Sequence, residues 1–229
     1  MTELYVFCEG PTEQGFCAQV LFPNLFTSAE GVGRTILAAN SKRRGVVSRG
    51  GIGKYSALRR DISNQLRARR EQTVFFTTMI DLYGLPNDFP GKADNTRNAV
   101  NPTPYVEALE EAFRVDISDE RFTPHLQLHE YETLLFANPD SMTPWFDNCK
   151  GAVKGMKAIA SKVASIEQID DGENTSPSKR IIRLLPEYAG RKATFGPQIA
   201  ERIGMRVLRE KCPHFDAWVS RLERLLAVL

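Results

Sequence analysis

Cysteine and histidine are scarce in this chain of 229 residues, with four of the first and three of the second. Cys8, Cys17, Cys149 and Cys212 include no Cys-x-x-Cys pair and form no zinc-like grouping with the histidines, which excludes a disulfide-stapled scaffold and predicts reduced core or surface thiols. Cys212-Pro213-His214 is too isolated to argue for a metal. No apolar run approaches the ~18 residues of a membrane span, and no charged start leads into the apolar core of a secretory signal, so a cytoplasmic protein without membrane association is expected. No internal repeat or low-complexity tract is visible. The net charge of +2 is uninformative because it is unevenly distributed. A chain of this length buries roughly 70–75% of its unfolded surface and needs no covalent staple.

What is present begins with an apolar run that ends in acid. Leu4 to Cys8 carry aliphatic, aromatic and β-branched side chains without polar alternation, the pattern of a strand covered on both faces, and the run stops at Glu9. Gly10-Pro11 breaks the strand, Thr12 is placed to cap a following helix, and Glu13 in the first turn suits the helix dipole. Phe16, Cys17, Val20 and Leu21 form the buried stripe of that helix, which is expected to end near Pro23. Thr73 to Ile80 repeats the strand signal and runs directly into Asp81. A rigid loop rich in proline and glycine follows from Leu82 to Gly91, with Asp88 and Asp94 nearby. Pro104 to Phe113 reads as a helix with Val106, Leu109 and Phe113 on one face. Leu126 and Leu128 then alternate with polar neighbours before His129, Glu130 and Glu132, so acid also stands at the end of a third strand.

From Pro144 to Ser178 the pattern is weaker, with a helix around Val153 to Ile166 and an acidic loop from Asp170 to Asn174. Ser178 reads as the cap of another helix. Lys179 and Arg180 fall in its first turn, where cations oppose the dipole and need some other partner. Phe215, Trp218, Val219, Leu222, Leu225, Leu226 and Leu229 mark an amphipathic terminal helix. The fold class that follows is α/β, a mainly parallel sheet flanked by helices. Residues 1–140 form its core and 141–229 a mostly helical extension packed on it, or the two make one domain.

Between Lys42 and Arg70 ten lysines and arginines stand against one acid, Asp61, a local balance of +9. The glycine-rich first part, with Gly45, Gly50, Gly51 and Gly53, reads as a loop, and Tyr55 to Arg70 as a helix through Leu58, Ile62 and Leu66. Gly53-Lys54 is not a phosphate loop: Ser48 stands where its first glycine belongs, and Tyr55 replaces the hydroxyl residue. Arg59, Arg60, Arg67 and Arg69 are candidates for a nucleic-acid track.

Strands ending in Glu9, Asp81 and the Glu130/Glu132 pair would converge at the carboxyl edge of a parallel sheet, where open α/β folds bind ligands. An all-oxygen set suits Mg²⁺ or Mn²⁺ and has no soft ligand to recruit zinc. Such an ion can polarise a phosphodiester, and Lys179 or Arg180 can oppose the developing negative charge.

Val6 to Glu13, Thr78 to Pro86, Gln127 to Phe136, Pro177 to Arg180 and Cys212 to Phe215, in that order, resemble the bacterial family of unknown function DUF4276 over nearly the whole chain. The resemblance implies kinship to Toprim domains, the metal-binding α/β fold of topoisomerases, primases and OLD-type nucleases. It also implies a phage-defence setting with an ATPase partner. By it Glu9 takes the place of the Toprim glutamate, Glu13 that of a second acid found in OLD-type nucleases, and Asp81 that of the first aspartate of an Asp-x-Asp motif. Tyr83 stands where the second aspartate belongs. Either Glu130 or Glu132 replaces the missing ligand, or the site binds metal weakly and has lost catalysis. The expected function is a Mg²⁺-dependent nuclease or related phosphotransfer enzyme on nucleic acid, with Glu9, Asp81 and Lys179 catalytic. The alternative is a non-catalytic Toprim-like subunit that binds an ATPase partner and nucleic acid.

Overall fold

In the computed structural model of the chain, residues 1–27, 31–38, 52–95, 101–169, 172 and 174–227 are described. Lys42, Arg43, Arg44 and Arg49 of the basic segment, the loop glycines Gly45, Gly50 and Gly51, and Asp170, Asp171, Glu173 and Leu229 lie outside them.

The two strong strand signals form the middle of a parallel sheet. β1 (Thr2–Cys8) pairs with β2 (Gly31–Leu37) on one side and with β3 (Val74–Asp81) on the other. Two short strands, β4 (Phe122–Thr123) and β5 (Leu126–Gln127), follow each other along the far side of β3. The β-strand period of two divides the central strands between two cores. Leu4, Val6, Cys8 and Met79 face one way; Tyr5, Phe7, Phe76 and Ile80 face the other. Each buried aromatic or aliphatic side chain contributes about 1.5–3 kcal/mol, which is why both runs lack polar alternation.

One face is covered by α3 (Tyr55–Ala68) and α4 (Thr103–Ile117). The opposite face is covered by α1 (Pro11–Phe16), which passes through a π turn at Cys17–Leu21 into α2 (Phe22–Leu25), together with elements from the second half of the chain. These are the 3₁₀ segment Tyr131–Ala137, α5 (Lys150–Ala160), α6 (Pro177–Leu184), α7 (Lys192–Ile203), α8 (Met205–Lys211) and α9 (Pro213–Ala227). Without residues 141–229 the face carrying Leu4, Val6 and Met79 would lose most of its cover. The α/β class, the parallel sheet and the helical C-terminal part are as the sequence indicates.

Several local readings are corrected. The first helix does not stop near Pro23 but runs to Leu25, because the wide π turn just before the proline makes room for its ring. Gly10, not Thr12, is the N-cap of α1, and Pro11 opens the helix. Ser176 rather than Ser178 stands at the N-cap position of α6, without a side-chain capping hydrogen bond. The helix around Val153 ends at Ala160. Strand β2 has no counterpart in the sequence reading: it is a half-exposed edge whose Gly31 and Gly33 let the rings of Phe26 and Phe22 lie directly on the backbone. A Cβ on Gly33 would come within 2.1 Å of the Phe22 ring.

β4 and β5 are separate because Pro124 offers no N–H to the ladder. The Thr78 hydroxyl repairs the gap, accepting from the His125 N–H at 2.9 Å and donating to the His125 carbonyl at 2.8 Å. His129 then adopts a left-handed φ of 63°, and its Nε2 lies 2.8 Å from the Glu167 carbonyl oxygen. This sharp turn hands the chain from β5 into the 3₁₀ segment that carries Glu132.

Candidate functional site

The parallel register sets Glu9 and Asp81 side by side at the carboxyl edge. The Glu9 N–H donates to the Met79 carbonyl at 3.2 Å, and the Asp81 N–H donates to Glu9 Oε2 at 3.0 Å. Asp81 Oδ1 in turn accepts from the Tyr131 N–H at 2.9 Å, so the entry to the 3₁₀ segment is docked on the end of β3. Glu13 is buried and its Oε2 accepts from the Gly10 N–H at 2.8 Å. Glu130 Oε2 accepts from the Ser178 N–H at 2.8 Å, which places a carboxylate at the N-terminus of α6. A carboxylate there favours the helix dipole that Lys179 and Arg180 oppose. Lys179 is exposed in this first turn, and the Arg180 guanidinium donates to the Thr175 carbonyl. Glu132 is buried, its Oε1 lying 3.1 Å from Lys192 Nζ and 3.4 Å from the Tyr188 hydroxyl.

Glu9, Glu13, Asp81, Glu130 and Glu132 therefore come from three separate segments to one edge. Burial, followed by the charges of Glu9, Glu13, Glu132 and Glu130, holds the Asp81 carboxyl well above the usual aspartate range. Burial and the nearby Glu9 and Glu132 raise Glu13 to about 7. Glu132 is also raised, chiefly by burial, with Lys192 pulling against it. The side chain of Tyr83 is exposed, and its N–H donates to the His129 carbonyl at 3.0 Å. Lys192 and Tyr188 were missed by sequence reasoning. Gly15 lies against the Pro197 ring, and Gly196 against the side chains of Thr12, Tyr131 and Tyr188, so α1 and α7 pack closely, a tertiary contact without a local signal.

The proposed basic track is partly committed elsewhere. Arg59 Nε lies 2.6 Å from Asp116 Oδ2, and Arg60 is 3.8 Å from Asp61. The Arg69 guanidinium stacks over Tyr5, 4.4 Å from the ring centroid. Arg60 and Arg67 are exposed on α3.

A second constellation was discounted in the sequence. His214, on α9, was set aside as isolated, yet it meets His125 and Glu110, all three buried. Among the described residues this is the group of three whose ligand atoms all lie within 4.8 Å of one another. One signal did exist. Glu110 falls on the stripe Val106, Leu109, Phe113 of α4, where a helix at that spacing buries its side chains.

All four cysteines are buried and free, with Cys8 and Cys17 Sγ atoms 3.9 Å apart. No helix among the described residues is long and apolar enough to cross a membrane.

Fold and site together define a parallel α/β protein with a carboxylate-rich sheet edge closed by its own C-terminal helices. The chain belongs to the family DUF4276, a domain of unknown function, whose model matches residues 8–223. No curated protein and no solved structure matches it.

Proposed function

We propose that the acidic edge binds Mg²⁺ or Mn²⁺ and that the protein is a Toprim-like, metal-dependent nuclease or related phosphotransfer enzyme acting on nucleic acid. The observation that carries this reading is the crowding of negative charge on Asp81, whose carboxyl is raised by burial and by four neighbouring carboxylates. Such a cluster is costly alone and favourable around a cation. The donors are all oxygen, and they are not gathered into a closed cage. That suits Mg²⁺, which keeps several waters and binds through one or two carboxylates plus substrate phosphates.

Glu9 and Asp81 would hold the ion, with Glu130 or Glu132 as a further ligand and Glu13 completing the negative field. When bound, the metal supplies Lewis-acid polarisation of a phosphodiester. Glu9 is oriented by the Asp81 N–H, and Asp81 by the Tyr131 N–H, so both carboxylates are set before any ligand arrives. Lys179, in the first turn of α6 next to the Glu130-bound Ser178 amide, would meet negative charge developing on a phosphate. An ATPase partner and a phage-defence role belong to this proposal through the family resemblance. Tyr83 at the expected position of a second aspartate favours the other reading, a non-catalytic subunit.

The test is Mg²⁺ and Mn²⁺ titration followed by thermal shift, alongside cleavage of single- and double-stranded DNA and RNA. A metal-induced rise in melting temperature that Glu9→Gln and Asp81→Asn both abolish, with loss of cleavage, supports the enzyme. A metal shift without cleavage by the wild type supports the binding subunit. A wild-type metal response in both variants removes the site.

A further inference from the structure

We propose that Glu110, His125 and His214 form a second metal site, selective for a zinc-type ion and separate from the acidic edge, which clamps α9 to the edge of the sheet. The three residues reach one point from α4, from the break between β4 and β5, and from the first turn of α9. Glu110 Oε1 lies 3.2 Å from His214 Nε2 and 3.5 Å from His125 Nδ1. Zinc bonds of about 2.0–2.2 Å in a tetrahedron put neighbouring donor atoms roughly 3.3–3.6 Å apart, so the 3.5 Å separation is a tetrahedral edge and the 3.2 Å one is within about 0.1 Å of it.

A hydrogen-bonded cluster alone leaves too much unexplained. His125 is 1% exposed, yet neither of its ring nitrogens has a hydrogen-bond partner among the described residues, and Nδ1 of His214 has none either. Orphan buried nitrogens are destabilising, and a metal accepting the lone pair removes that cost for the one it binds.

The surroundings fix the coordination. The His125 ring stacks on Trp218 with centroids 4.1 Å apart, and the Trp218 Nε1–H is tied to the Thr77 hydroxyl at 2.9 Å, so the imidazole cannot turn away. The Leu126 N–H donates to Glu110 Oε1 at 2.8 Å and orients the carboxylate. Beside Glu110 and His214 lies a cavity of about 20 Å³, also bordered by Pro124 and Trp218. That volume has room for one water, which would be the fourth ligand of a three-residue zinc site. Two imidazoles and one carboxylate select zinc-type ions over Mg²⁺, the reverse of the acidic edge.

The full chain, freed of metal by chelator and dialysis, is titrated with Co²⁺ as a spectroscopic stand-in for zinc. One equivalent is expected to develop the intense visible bands of low-coordinate Co²⁺, lost on adding Zn²⁺. Zn²⁺ at a hundred-fold excess over its dissociation constant should raise the melting temperature by roughly 5–10 °C. Glu110→Gln should lose the bands, and the Glu9→Gln/Asp81→Asn double variant should keep them, which separates this site from the acidic edge. Wild-type protein that develops no bands and binds no stoichiometric Zn²⁺ overturns the proposal, as do bands lost in the double variant and retained in Glu110→Gln. The wild-type titration decides the matter even where Glu110→Gln fails to fold.

Discussion

Replacing Glu13 by Gln should stabilise the protein, and only above the pH at which the unfolded chain loses that proton. Glu13 is buried, faces Glu9 and Glu132, and is raised from 4.5 to about 7. The folded state therefore keeps the proton up to about 7, while the unfolded chain releases it near 4.5. As pH rises through this window the unfolded state gains relative to the folded one, and above it the cost is constant. At ~1.4 kcal/mol per pH unit the full penalty is about 3 kcal/mol. Glutamine keeps an acceptor for the Gly10 N–H, so the cap survives while the charge is removed. In urea denaturation with chelator present, Glu13→Gln should gain about 2–3 kcal/mol near pH 8 with an unchanged m-value, and close to nothing near pH 4.5. On heating, the gain near pH 8 corresponds to roughly 5–10 °C. Saturating Mg²⁺ should shrink the difference, because a bound cation offsets the same repulsion. A variant destabilised equally at both pH values would show that Glu13 is ionised in the fold and serves only as a cap, which would refute the charge-crowding account of this edge.

Three further outcomes follow from named contacts. His125, held at about 4 against an ordinary 6.5, gives stability that is complete above 6.5 and falls as pH drops toward 4; His125→Gln should remove a loss of about 3 kcal/mol across that window in chemical denaturation. Trp218→Phe removes the donor to the buried Thr77 hydroxyl and should cost about 1–3 kcal/mol in the same assay, with no change near the acidic edge. Arg60→Ala with Arg67→Ala should weaken binding to all duplex sequences alike and flatten its salt dependence, each lost phosphate contact lowering the log–log slope by about 0.9; an unchanged slope takes α3 off the binding surface.

The sheet centre was legible because β1 and β3 are buried on both faces, a condition that forces unbroken apolar runs and so makes their acidic ends conspicuous. Strand β2 was not, since an edge with glycines under two phenylalanine rings carries neither alternation nor a long run. That Glu9, Asp81 and Glu130 stand at the carboxyl edge was legible because sheet topology relates strand ends by a rule. Glu110, His125 and His214 were not, because no periodicity links a helix face, a proline-made gap in a strand and the first turn of a terminal helix.

The same reasoning explains why residues 141–229 bear on the site as much as on the core. A parallel sheet places acids along its carboxyl edge but supplies few donors there to hold them. The Asp81, Tyr131 and Gly10 N–H groups serve Glu9, Asp81 and Glu13, and the remaining donors come from later in the chain. The Ser178 N–H fixes Glu130, Lys192 Nζ and the Tyr188 hydroxyl meet Glu132, and Glu167 accepts from the N–H groups of His214 and Phe215 to seat the start of α9. Buried carboxylates without such partners would protonate or drive the edge open. The C-terminal helices thus cover an apolar face and, through the same packing, give Glu130 and Glu132 the partners that hold them at the acidic edge.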